Sequence, residues 1–159
     1  MPADTMPVND LLIRGIELQN QGQGDAASRV FEQVLKLDPG NAHALYSLGL
    51  LAMQAGSGDT AAALCRRGIL ASPQFAPLHY LLGKALMDLG QDDEALQALR
   101  RAVYLDPDAG LAHFLLAGGL ARSGDLAAAA REYRAAAATG TALCERVARA
   151  ASTQEECAR

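Results

Sequence analysis

Apolar residues run at helical spacing through the stretch holding Leu11, Leu12, Ile13, Ile16 and Leu18, and the run is closed by Gly22. The same order of events returns along the chain. Gly22, Gly56, Gly90 and Gly124 stand 34 residues apart, and Pro39, Pro73 and Pro107 keep that interval. A period of this length belongs to stacked helix-turn-helix units, each too small to bury its apolar face alone. Stacking gives an extended array with a concave surface and no enclosed catalytic cavity, an architecture suited to binding rather than to reaction.

The register 8–41, 42–75, 76–109 and 110–143 aligns four units without gaps. Position eight then reads Gly15, Gly49, Gly83 and Ala117, and position twenty reads Ala27, Ala61, Ala95 and Ala129. Small residues at both positions predict that the two helices of a unit cross there at close range. The glycine at position fifteen follows an apolar helical run and precedes Asp25, Asp59, Asp93 or Asp125, the order of a helix-ending glycine followed by an N-cap. Asp38, Ser72 and Asp106 each stand before a proline and should end the second helix, because a residue before proline is pushed out of the α region.

These columns resemble the tetratricopeptide repeat, whose small-residue, alanine and proline positions recur at the same interval. The resemblance spans residues 8 to 143. It implies an all-α fold, a right-handed superhelical solenoid of four helix-turn-helix repeats. Leu143, Val147, Ala150 and Ala151 lie at helical spacing and predict a short capping helix at about 142–152, which would cover the last apolar face. The repeat domain is then expected over 8–152, between flexible ends at 1–7 and 153–159. Two features depart from the family pattern. The bulky aromatic near the start of each repeat is replaced by Leu11, Leu45, His79 and His113, and the last repeat lacks its proline and carries Gly118 and Gly119 inside its first helix. A helical glycine costs about 1 kcal/mol relative to alanine, so the fourth repeat is expected to be the least stable.

The resemblance further implies that the first helix of each repeat faces inward through positions two, five, nine and twelve. The peptide-binding groove expected on that basis comprises Leu12, Ile16, Tyr46, Leu50, Met53, Tyr80, Lys84, Met87 and Phe114, with Asn9, Gln19, His43, Pro77, Leu111, Gly118 and Arg122 or its neighbour beside them. Tyr46, Tyr80 and Phe114 share position five; such a ladder serves either as packing between repeats or as a binding wall. Lys84 is the one residue here of the type with which co-chaperone repeats clamp an acidic carboxyl terminus, so the expected occupant is an apolar or amphipathic segment. On the second helices Arg66, Arg100 and Arg134 share position 25, with Arg67 and Arg101 next to two of them. This convex basic ladder is expected to pair with acids such as Asp92, Asp93 and Glu94, or to meet an anionic partner.

Charge and candidate chemistry narrow the function. Lys and Arg number 14 against 18 Asp and Glu, a net charge of −4, so there is no basic excess to neutralise phosphates and nucleic acid is not an expected partner. No apolar run approaches the ~20 residues of a membrane span, and the start has no leader pattern, so no membrane span and a cytoplasmic location are expected. Cys65, Cys144 and Cys157 lack metal-ligand spacing, and Cys65 reads as a small packing residue. His43, His79 and His113 come without a positioned carboxylate or cysteine, and no nucleophile-elbow, P-loop or zinc-protease motif occurs. The expectation is therefore no enzyme, no catalytic residue, no metal and no cofactor. Another protein or peptide is the expected partner of a scaffold, adaptor or assembly factor. The stretch from Leu78 to Gly124 resembles the repeat tails of bacterial chemotaxis-type receptor methyltransferases, which implies a docking or regulatory role in a bacterium. Two alternatives stand beside it: a type III secretion-type repeat chaperone, and a scaffold that self-assembles into a homo-oligomer through its first helix.

Overall fold

Each 34-residue unit breaks into two helices because a glycine takes a conformation that side chains resist. Gly22, Gly56, Gly90 and Gly124 have φ of 75°, 76°, 74° and 91° in the computed structural model, which describes residues 6–140. The residue after each glycine donates its backbone N–H to a carbonyl five residues back, as Gln91 does to Leu86 at 2.9 Å, so the helix end keeps its acceptors satisfied. The first helices are α1 (Val8–Asn20), α3 (Ala42–Gln54), α5 (Ala76–Asp88) and α7 (Gly110–Arg122). The second helices are α2 (Gly24–Leu37), α4 (Gly58–Ala71), α6 (Asp92–Leu105) and α8, helical from 126 through 140. Each first helix begins on the first residue of the register read from the periodicity. No strand occurs among the described residues.

Asp38, Ser72 and Asp106 close the second helices outside the α region before proline, as expected. The N-cap expectation needs correction at three of its four positions. Asp25, Asp59 and Asp93 lie one residue inside their helices, whose N-caps are Gln23, Ser57 and Gln91. There a carboxylate favours the first turn through the helix dipole instead of capping it. Asp125 does cap, accepting from the Ala128 N–H at 3.0 Å. A cap that the repeat pattern did not announce sits at Asn41, whose side chain accepts from Ala44 N–H at 3.1 Å to start α3.

The core is a row of interlocked side chains. An added Cβ at Gly15 would stand 2.6 Å from Phe31 and one at Gly83 would stand 2.5 Å from Leu99, side chains of the second helices, whereas at Gly49 it would stand 2.8 Å from Leu81 of the next first helix, so position eight is small because a core side chain occupies its space. Phe31, Cys65 and Leu99, all at position 24, are fully buried in this way. Helices pack within a repeat and onto the next one, and among the described helices no contact joins α1 or α2 to one beyond α3. The first helices approach their neighbours along the array, α1 to α3, α3 to α5 and α5 to α7, whereas the backbones of α2, α4 and α6 do not come close to one another, and α4 reaches α6 through a side-chain ion pair. The first helices therefore form the inner, shorter side of the curve, and the second helices the outer side.

No described helix is long and apolar enough to cross a membrane. Residues 1–5, the predicted capping helix at about 142–152 and the tail at 153–159 lie outside the described residues, while Pro7 forms the N-cap of α1.

Candidate functional site

The inner wall is graded from one end to the other. In α1, Leu12 is half-buried against the first core cluster while Ile16 is 44% exposed. In α3, Tyr46, Leu50 and Met53 lean on the central core and keep part of their surface open. Phe75 holds the first of these in place. Its ring lies edge-on to Tyr46 at 6.3 Å between centroids and to His43 at 4.8 Å. In α5, Tyr80 and Met87 are half-buried and Lys84 is exposed. In α7, Phe114 is 56% and Leu111 70% exposed.

The position-five ladder thus takes both of the roles left open by the sequence. Tyr46 and Tyr80 are wedged between repeats, and Phe114 stands out from the wall. Burial pushes both phenols above the usual tyrosine value, with Tyr80 and Cys65 adding to the shift at Tyr46, so both remain neutral hydrogen-bonding groups at physiological pH. Tyr46, Pro77, Tyr80 and Leu111 line a cavity of about 270 Å³. A wider hollow of about 840 Å³ opens beyond it, bounded by Leu111, Phe114, Tyr133 and Ala136. Tyr133 was not singled out from the sequence. It occupies position 24, where Phe31, Cys65 and Leu99 are buried, and here its ring meets Phe114 edge-on at 5.7 Å while staying 42% exposed.

The outer face is only partly a ladder. Arg66 pairs with Glu94 of the next repeat at 2.8 Å, both half-exposed. Asp92 pairs instead with Arg122, also at 2.8 Å. Arg67 donates to the Pro39 carbonyl, Arg134 bonds the Ala130 carbonyl of its own helix, and Arg101 stacks over Tyr104. Arg100 is exposed, and the convex arginines do not converge on one ligand-sized spot.

The two histidines that replace the family aromatic are buried and serve the turns. His79 Nε2 donates to the Pro73 carbonyl and His113 Nε2 to the Pro107 carbonyl, both at 2.9 Å. His113 Nδ1 also meets Glu132 at 2.6 Å, which ties α7 to α8. Among the described residues no group of three or more His, Cys, Asp or Glu side chains could hold a metal ion. Cys65 is buried against Gly49, and its thiol is pushed up to about 12 by burial, against a smaller opposing pull from Arg66, so it is packing and not a nucleophile.

Two family models, each described as Tetratricopeptide repeat, match residues 14–77 and 52–119. No curated protein matches the chain. Among solved structures, "MamA 41-end from Desulfovibrio magneticus RS-1" is similar at 28% identity and TM-score 0.74, over 87% of this chain and 78% of that one. "Crystal structure of MamA" aligns with TM-score 0.77 at 21% identity over 89% of this chain and 83% of that one, a likeness of fold. A mutant of Thermobaculum terrenum O-GlcNAc transferase is 36% identical with TM-score 0.67, over 71% of this chain but only 22% of that one.

Proposed function

Since the chain belongs to the tetratricopeptide repeat family and is built as an interaction scaffold, we propose that it binds an apolar or amphipathic segment of another polypeptide along its concave wall. The observation that carries this reading is the exposure of large apolar side chains on the inner side. Leu111, Phe114 and Ile16 lie open there, beside half-open Tyr46, Leu50, Met53, Tyr80 and Met87. Contiguous apolar surface facing water is costly and marks a docking face. Aromatic and methionine side chains suit that role, since they supply area and adapt to the shape of the guest.

Selection of a phage library of random linear peptides on the purified chain tests it. Enriched peptides should be rich in Leu, Ile, Met and aromatic residues. They should lose binding to a Leu111→Ser/Phe114→Ser variant whose circular dichroism is unchanged, because both side chains are exposed. Enrichment of polar peptides, or apolar peptides that bind the variant equally well, would reject the groove.

A second reading, self-association, is favoured by α1, where Ile13 is 57% exposed on a helix with no repeat before it among the described residues. Light scattering over a concentration series decides it: an invariant monomer mass would end that reading.

A further inference from the structure

Of the nine groove residues, Lys84 is the one with a charged side chain. It is exposed, and none of the ion pairs among the described residues includes it. Asp88 lies one turn further along α5, but it is not paired with Lys84. A lysine preceding an acid by four residues is also the weaker order for a helical pair. A guest that fills the groove must cover position nine of α5, flanked there by Tyr80 and Met87. An apolar guest would strand the ammonium away from water, which is unfavourable unless an opposite charge comes with it.

In the next first helix, which packs against α5, position nine is Gly118. The other interior glycines of the first helices are clamped: a Cβ would stand 2.6 Å from Phe31 at Gly15, 2.8 Å from Leu81 at Gly49, 2.5 Å from Leu99 at Gly83 and 2.7 Å from Leu96 at Gly119. Among the described residues a Cβ at Gly118 would meet nothing nearer than the Tyr133 hydroxyl at 3.8 Å. Packing among the described residues therefore gives no reason for a glycine that weakens its helix. It leaves a notch in the wall between Lys84 and the exposed ring of Phe114.

We propose that the guest is an apolar segment bearing a single carboxylate, which pairs with Lys84, and a bulky side chain that seats on Gly118. This deepens the groove reading and rests on it. Lys84 acts as a register pin: it fixes where along the wall an otherwise slippery apolar segment stops.

The test repeats the peptide selection on the wild type and on Lys84→Glu. Wild-type winners should be apolar with one Asp or Glu at a constant place, and Lys84→Glu should exchange that acid for Lys or Arg while the apolar preference persists. Apolar winners without a fixed acid, or with an acid that Lys84→Glu leaves unchanged, overturn the proposal and leave the groove standing. Failure to enrich apolar peptides at all sinks both. Gly118→Ala and Gly118→Leu report on the notch. Both should melt no lower than wild type, and Gly118→Leu should bind the wild-type winners about tenfold more weakly. Undiminished binding to Gly118→Leu would remove the seat.

Discussion

A single methyl group decides how closely the helices of one repeat approach. At Gly83 the space for a Cβ is filled by Leu99, itself fully buried, so Gly83→Val must displace a core side chain and should destabilise by about 1–3 kcal/mol in urea unfolding. Gly90→Ala meets nothing within 4 Å, so whatever it costs reports the left-handed backbone alone, about 1–2 kcal/mol. Equal indifference to both changes would contradict the structure. Cys65 makes a prediction of a different kind. Its thiol ionises near 9.0 in the unfolded chain but only at about 12 when folded, so the folded state holds its proton longer. The stabilisation is complete below pH 9 and is lost as the pH rises towards 12. Measured as the difference between a Cys144→Ser/Cys157→Ser background and the same background with Cys65→Ala, it should be flat at neutral pH and shrink in alkali. A difference that stays flat through the alkaline range would mean the thiol is solvated.

At the scale of the element, the helix boundaries were legible because they are set by residues with one physical meaning: a glycine at positive φ, and a proline that excludes the helical region before it. The N-caps were less legible, since an acid near a helix start serves equally at the cap and in the first turn, and only the backbone path separates Asp125 from Asp25. The inner side was legible in outline, through the spacing of the first helices. Its gradation was not, because the exposure of Phe114 and Tyr133 depends on what lies over them and not on their own helical spacing. The histidines read as packing residues; that they bond the prolyl carbonyls six residues back requires the turn geometry. Two glycines within α7, one of them without a packing partner, predict that amides of α7 exchange with solvent faster than those of α5. Gly118→Ala should narrow the gap, and equal protection of the two helices in the wild type would show that tertiary contacts outweigh helix propensity there.

Among the described helices only neighbouring repeats touch, so stability and curvature are set at the junctions. Position 27 of one repeat and position three of the next read Val34 and Ala44, Gly68 and Leu78, and Ala102 and Ala112. At the middle junction a Cβ on Gly68 would stand 2.6 Å from a Leu78 methyl, while all six residues are buried. At that junction the large partner fits because the other has shrunk to glycine, which sets how closely the two repeats approach. Gly68→Ala should therefore destabilise by overpacking and Leu78→Ala by leaving a cavity, the latter by about 2–5 kcal/mol. Joined, they recreate the alanine pair of the next junction, and the double change should cost less than the sum of the single changes by at least ~1 kcal/mol. Additive effects would mean that the repeats adjust their spacing freely, and a wall of that kind could not hold a lysine and a notch in fixed register.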